Sequence, residues 1–145
     1  MPWEEILTPK VVVNCAILDE EGRILLVRRR DNGLWALPGG FMELGERVRE
    51  AVLREVREET GLEVEVVRMT GVYSDPADAL YGHLGPEYQV VVLVFRGRVI
   101  GGEFEENEET YGFRYFEVDA LPPLMESHRQ RILDAVQGAA DVFVR

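Results

Sequence analysis

The chain has 145 residues, near the usual size of one domain, and 46% of them are hydrophobic and 30% charged, as in ordinary soluble proteins. Its formal net charge of −11 argues against binding to a nucleic-acid backbone or to an anionic membrane, because both need a surface rich in lysine and arginine. The acidity does not exclude small phosphorylated ligands, since a bound divalent cation reverses the local electrostatic field.

The single cysteine, Cys15, lies in an apolar run, so no intramolecular disulfide can form and we expect a buried, inert thiol. The N-terminal residues have no basic region leading into an apolar one, and no apolar run approaches the roughly 20 residues that span a bilayer. We therefore expect no signal peptide, no membrane contact, a reducing cytoplasmic setting and one domain over residues 1–145.

The first part of the chain predicts two strands, a glycine-rich loop and a helix. Residues 10–30 hold two aliphatic and β-branched runs that are separated by the turn sequence DEEG. Residues 46 to about 60 form the clearest helical pattern, which Gly61 is expected to end. Residues 31–46 lie between and contain too many chain breakers for a regular element, namely Gly33, Pro38, Gly39, Gly40 and Gly45.

The second part predicts three strands and a second helix. Residues 125–140 are amphipathic, with Ile132, Val136 and Ala139 on the expected inner side. The segment 88–99 is almost continuously apolar, which predicts a central strand buried on both faces. The other strands are expected at 62–74 and 111–118, and the loops at 75–87 and 101–110. Strands with two helices placed far apart predict an α/β sandwich, a mixed sheet covered by helices.

The first helix has an unusual inner face. On a helical wheel Glu55 and Glu59 fall within the apolar stripe, and Glu58 lies beside it. Like charges three and four residues apart destabilise a helix, and partial burial increases that cost. The stripe itself consists of Val48, Ala51, Val52 and Val56, while Arg47, Glu50, Arg54 and Arg57 are expected to point elsewhere.

These three glutamates could simply form a solvated face, the usual environment of this residue type. Their position on the core-facing side favours a bound cation instead. Oxygen ligands without a neighbouring histidine or cysteine suit Mg²⁺ or Mn²⁺ rather than Zn²⁺. The preceding glycines let main-chain atoms approach a ligand closely, and such metals commonly contact substrate phosphates. The residues therefore indicate a metal-assisted reaction on a phosphorylated molecule.

The segment from Gly40 to Leu62 resembles the Nudix box of the Nudix hydrolases, a family that includes MutT-like proteins and ADP-ribose pyrophosphatases. Gly40 is followed after five residues by Glu46, and after seven more by the sequence REVREETGL. The flanking strands and the last helix resemble the family more loosely along most of the chain. Every specified position of the box matches: Gly40, Glu46, Arg54, Glu55, Val56, Glu58, Glu59, Gly61 and Leu62.

The resemblance implies a Nudix-type α/β/α sandwich and Mg²⁺-dependent hydrolysis of a nucleoside diphosphate linked to another moiety. It makes Glu55, Glu58 and Glu59 the metal-binding and catalytic glutamates, with the carbonyl of Gly39 or Gly40 as a further metal ligand. It implies that Arg54 orients Glu55 and that Glu46 supports the loop.

Family members often supply one more glutamate, a general base or metal ligand, from a distant loop. Glu109 resembles that position best and Glu108 is next, although most glutamates of this loop must simply be solvated.

Several residues are candidates for substrate binding, each with a plainer alternative. Pro76 follows the box at a spacing that resembles ADP-ribose-type members, but a turn proline would look the same. Arg28, Arg29 and Arg30 end a strand beside the glycine loop, and Arg28 or Arg30 could bind a phosphate. His83 and His128 are expected at the surface, His83 in a loop that could close over substrate. Aromatic side chains that could stack on a base or pack in the core are Trp35, Phe41, Tyr73 and Tyr81.

We therefore expect a Mg²⁺-dependent pyrophosphohydrolase (Mn²⁺ could substitute) of a small nucleotide substrate, with ADP-ribose or a related nucleotide sugar preferred. One alternative is a pyrophosphohydrolase of nucleoside triphosphates, including oxidised ones. Another is a Nudix-fold sensor that binds a nucleotide without cleaving it, which the intact set of carboxylates argues against. A homodimer is an expectation from the family alone.

Overall fold

The computed structural model describes residues 6–77, 89–108 and 110–145. Within these ranges the chain forms eight strands and two helices. The helices are α1 (Val48–Thr60) and α2 (His128–Gln137). The strands are β1 (Lys10–Ile17), β2 (Ile24–Arg29), β3 (Trp35–Ala36), β4 (Gly39–Phe41), β5 (Leu62–Tyr73), β6 (Val90–Gly102), β7 (Thr110–Phe116) and β8 (Phe143–Val144).

The strands form two sheets. The larger has five strands in the order β4-β1-β6-β5-β8, with β1 parallel to β6 and β5 parallel to β8. This confirms the predicted mixed sheet and the central position of β6. The second sheet, β3-β2-β7, is antiparallel and was not predicted. The two strands expected around the DEEG turn lie in different sheets, because β1 pairs with β4 and β6 whereas β2 pairs with β3 and β7.

The five-stranded sheet lies between the two helices. Side chains alternate along β1, so Val12 and Ala16 pack in one cluster with Ile132 of α2, while Val13 and Ile17 pack in the other with α1. Cys15 belongs to the α1 side and is buried, as predicted, and burial raises the pKa of its thiol to about 12. The α/β sandwich expected from the sequence is confirmed.

The second helix is shorter than predicted. It ends at Gln137, where Gly138 adopts a left-handed conformation with φ 71°, so Ala139 lies beyond the helix and Val136 is only half-buried. Its buried face instead combines Ile132 and Ala135 with polar side chains, which periodicity did not predict; these are His128, Arg131 and Asp134. In the part of the chain that the structure describes, no helix is long and apolar enough to cross a membrane.

Candidate active site

Helix α1 presents carboxylates on its buried face. It ends at Gly61, as predicted, where φ is 77° and the N–H donates to the Arg57 carbonyl. Glu55 and Glu59 are 7% and 5% exposed, although glutamate is rarely buried, whereas the Glu58 side chain is 59% exposed. The helical-wheel assignment is therefore confirmed for all three side chains.

The Arg54 guanidinium crosses the carboxylates rather than pointing away from them. It donates to Glu55 Oε1 at 2.8 Å, to Glu58 Oε2 at 3.1 Å and to the Phe41 carbonyl at 3.0 Å. It also binds both carboxylate oxygens of Glu46, at 2.7 and 2.8 Å. The expectation that Arg54 lies off this face was wrong because a long side chain can turn back across its own helix. Arg54 thus supplies part of the positive charge that the cluster needs.

The paired contact with Arg54 makes the contribution of Glu46 to stability depend on pH in the acid range. Hydrogen bonds from Arg54 and from the Glu43 N–H lower the pKa of Glu46 from the usual 4.5 to about 2. A carboxylate with a depressed native pKa contributes stability above its unfolded pKa, and that contribution is lost as the pH falls through the native pKa.

We expect the Glu46→Gln variant to lose less stability in acid than the wild type. Above about pH 4.5 the free energy of unfolding should depend on pH in the same way in both proteins. Between about pH 4.5 and about pH 2, the window set by the two pKa values, it should fall more steeply in the wild type, because only the wild type loses the contribution of the Glu46 carboxylate. Urea unfolding across that range measures the free energy of unfolding. Parallel curves for the two proteins throughout the window would contradict the assignment.

The glycine segment, residues 37–41, lies directly against the carboxylates of α1. Its strand β4 pairs with β1, which places Gly40 opposite Val13 and Gly39 opposite Asn14. The Gly39 N–H donates to Glu59 Oε2 at 2.8 Å. A Cβ on Gly40 would lie 2.7 Å from the Glu55 carboxylate, closer than real Cβ contacts. Glycine at this position therefore lets the main chain approach Glu55 without displacing its carboxylate.

The donors at this site suit a hard divalent cation. They are carboxylate and main-chain oxygens, the ligands that Mg²⁺ and Mn²⁺ prefer, and Gly40 leaves space beside Glu55 that any side chain would fill. Across residues 6–77, 89–108 and 110–145, no three acidic, histidine or cysteine side chains already converge as one ligand set. Glu58 is turned toward Arg54, so the metal-ligand and catalytic roles of these residues stay predictions.

The acidic loop is fastened to the C-terminal end of α1. Asn107 Nδ2 and Thr110 Oγ1 both donate to the Glu59 carbonyl at 2.8 Å, and the Glu105 N–H donates to the Thr60 carbonyl at 2.9 Å. Sequence reasoning missed Asn107, since a lone asparagine in an acidic run carries no distinct signal. Glu108 is exposed beside this anchor, and Glu109 lies outside the described residues, so its proposed role stays a prediction.

The predicted substrate arginines lie around a tyrosine that the sequence did not single out. The Arg28 and Arg30 guanidinium carbons lie 5.2 and 5.5 Å from the centre of the Tyr111 ring. Arg30 Nε also donates to the Asn107 carbonyl at 2.6 Å, which connects this group to the end of α1. Arg29 turns away to bind Asp31. Two cations and an aromatic face could bind a base or a phosphate.

The remaining substrate candidates lie in different environments, and only some of them are near the glycine segment. Phe41 is 51% exposed beside the glycine segment, where it can contact a ligand. Tyr73 is buried on the α2 side of the sheet and donates to Asp134 Oδ2 at 2.6 Å, the core environment that was its alternative. Pro76 lies in an exposed turn in which the Ala77 N–H donates to Asp75. Tyr81 and His83 lie outside the described residues.

The sequence suggested that His128 lies at the surface, but its side chain is buried at the start of α2, where the residue is 5% exposed. Its Nδ1 accepts a hydrogen bond from the Leu37 N–H at 3.1 Å. The expectation was wrong because residues 123–125 pair with Trp35, which brings the start of α2 against the Leu37 amide. Nothing local to His128 in the sequence signals that contact.

Comparison with known proteins places this arrangement in a family. The NUDIX domain model matches residues 8–136. An ADP-ribose pyrophosphatase of Methanocaldococcus jannaschii is 41% identical over 131 residues, which cover 88% of this chain and 73% of that protein. A putative 8-oxo-dGTP diphosphatase of Bacillus subtilis is 37% identical, with 88% and 80% covered.

Among solved structures, an ADP-ribose pyrophosphatase of Streptococcus suis is similar with a TM-score of 0.79 and 31% identity, over 95% of this chain and 100% of that one. With the family model spanning most of its length and every position of the box present, this chain belongs to the NUDIX domain family and is a Nudix pyrophosphohydrolase.

Proposed function

We propose that this enzyme hydrolyses the pyrophosphate linkage of a nucleoside diphosphate joined to a second group, with ADP-ribose or a related nucleotide sugar preferred and Mg²⁺ required. The observation that carries the proposal is the burial of two carboxylates of α1 against a glycine segment, with Arg54 fastened across them. The names of the methanogen and streptococcal relatives support the choice of ADP-ribose.

We propose the following roles for the residues of the site. Glu55, Glu58 and Glu59, with a main-chain carbonyl of the glycine segment, would hold the cations, and Arg54 would keep Glu55 in place. When bound, Mg²⁺ supplies charge neutralisation at the diphosphate and lowers the pKa of the attacking water. Phosphoryl transfer depends mainly on such positioning and electrostatic stabilisation, so no covalent nucleophile is needed from the protein.

Substrate contacts are proposed on the exposed side of the site. Arg28 and Arg30 could bind phosphate or ribose oxygens, and the Tyr111 ring beside them is proposed to contact the base. Phe41 could cover the other side of the substrate. Glu109 is proposed as the additional general base or metal ligand.

A second candidate is the hydrolysis of nucleoside triphosphates, including oxidised ones, to a monophosphate and pyrophosphate. It is favoured by the similarity to the putative 8-oxo-dGTP diphosphatase. A panel of ADP-ribose, nucleotide sugars, ordinary triphosphates and 8-oxo-dGTP, with chromatography of the products, separates the two. Preferred release of AMP and ribose 5-phosphate from ADP-ribose supports the first candidate, whereas turnover of triphosphates alone rejects it. Binding without turnover of any compound would indicate a sensor.

We expect Mg²⁺ to raise the melting temperature by about 5 °C at concentrations well above its dissociation constant, because a ligand that binds only the folded state stabilises it. Differential scanning fluorimetry with a Mg²⁺ series and an EDTA reference measures the shift. Glu58→Gln should reduce it, while Glu63→Gln, the same charge change just past α1, should not. An identical shift in all three proteins would place the cation elsewhere.

The same proposal includes a single domain over residues 1–145, a cytoplasmic location and a homodimer. Sedimentation equilibrium of the purified chain tests the last of these.

A further inference from the structure

We propose that α2, on the far side of the sheet from the box helix, positions the glycine segment through His128 and Arg131, and thereby sets where Glu55 and Glu59 lie. This inference rests on the proposed function for its effect on catalysis. Its structural part concerns the metal-free protein alone. Both residues are buried, at 5% and 2% exposure, and three positions apart they share one face of the helix.

The first contact is made by the His128 ring. Its Nδ1 accepts from the Leu37 N–H, two residues before Gly39, whose own N–H donates to Glu59. Burial and the nearby charges of Arg131 and Arg29 lower the pKa of His128 well below its usual range. The ring is therefore neutral, with a free lone pair on Nδ1 to receive the Leu37 amide proton.

The second contact runs through Asn14. Arg131 donates to Asn14 Oδ1 at 3.1 Å, and both side chains are buried. Asn14 is the register partner of Gly39, and its Nδ2 lies 2.5 Å from where a Cβ on Gly39 would be. The Asn14 amide thus lies directly over Gly39. Arg131 holds that amide in place, so the glycine is confined from the α2 side as well as from the α1 side.

The start of α2 is itself rigidly placed. Ser127, just before His128, has φ 68°, and no other described non-glycine residue has a positive φ. Such a conformation persists only where the surrounding structure over-determines it. Two main-chain hydrogen bonds hold the residues just before Ser127: the Met125 N–H donates to the Trp35 carbonyl, and the Trp35 N–H donates to the Pro123 carbonyl. These hydrogen bonds hold the start of α2 beside Trp35, from where the His128 ring contacts the Leu37 amide.

The test compares substitutions that keep or remove the acceptor. In His128→Asn the side-chain oxygen takes the place of Nδ1 and can still accept from Leu37, whereas His128→Leu leaves the Leu37 N–H buried without an acceptor. His128→Gln places its oxygen one bond further out, and it replaces the leucine variant if that variant does not fold. Ile132→Val, which trims a buried side chain of the same helix without touching either contact, is the matched control.

Amide hydrogen exchange followed by NMR in metal-free protein is the first readout. In His128→Leu the Leu37 and Gly39 amides should exchange about 10-fold faster relative to the amides of β6, and His128→Asn should restore them. Turnover is the second readout. With Mg²⁺, kcat should fall roughly 10-fold in His128→Leu or His128→Gln with KM nearly unchanged, and recover in His128→Asn.

Exchange of Leu37 and Gly39 that rises no more than in Ile132→Val overturns the inference, as does equal kcat in the asparagine and glutamine variants. If the wild type hydrolyses no compound of the panel, the proposed function fails, but the exchange measurement still decides whether α2 positions the glycine segment.

Discussion

Glu58→Gln is expected to lower kcat by about two to three orders of magnitude while leaving the fold intact. Among the described carboxylates of the proposed metal set, Glu58 is the one that is exposed, so a change at this position disturbs no core packing. Its amide replacement can still accept from Arg54 but carries no charge to hold a cation. Removing one preorganised electrostatic contact at a reacting centre typically lowers transition-state stabilisation by about 3–4 kcal/mol, which corresponds to this loss of kcat.

Steady-state kinetics on the preferred substrate, with Mg²⁺ varied, measures the effect. The control is Glu63→Gln, whose side chain is 57% exposed against 59% for Glu58 and which removes the same charge just beyond α1. The control should keep kcat within about two-fold, because surface substitutions away from special contacts have small effects. A Glu58→Gln enzyme with near wild-type kcat would show that the site is misplaced.

Gly40→Ala is expected to lower kcat by about two orders of magnitude, for a steric rather than an electrostatic reason. The added methyl group would lie 2.7 Å from all three carboxylate atoms of Glu55. Glu55 can yield only by leaving its contact with Arg54, or the glycine segment must move away from α1. Either displacement misplaces a proposed metal ligand, and misplacement of about 1 Å can cost 100-fold.

Gly112→Ala on β7 is the matched control, because nothing lies within 4 Å of the added methyl group and φ is not in the left-handed region. Its kcat and melting temperature should stay near those of the wild type. Circular dichroism on both variants shows whether the sheet persists. Full activity of Gly40→Ala would contradict the close approach of the glycine segment to Glu55.

Local features of the chain can be read from the sequence because they depend on neighbours along one element. The face of α1 follows from helical periodicity, and Gly61 stops the helix through its own backbone freedom. The box spacing identifies the family and the three glutamates. The helical wheel mispredicted the path of Arg54, since a flexible side chain is placed by the charges around it. The family resemblance, which made Arg54 a partner of Glu55, agrees with their hydrogen bond.

Tertiary structure decided the contacts that join distant segments. The split of β1 and β2 into two sheets, the contact of Tyr111 with two arginines and the anchor at Asn107 all depend on partners far away in the chain.

His128 shows the same point most clearly. A histidine beginning a helix carries no sign of burial, and only the packing of α2 against the sheet brings its Nδ1 to the Leu37 amide. The sequence by itself determined which helix carries the carboxylates, because periodicity is local. The fold decided what holds them in place, because hydrogen bonds between remote segments exist only once the chain has packed.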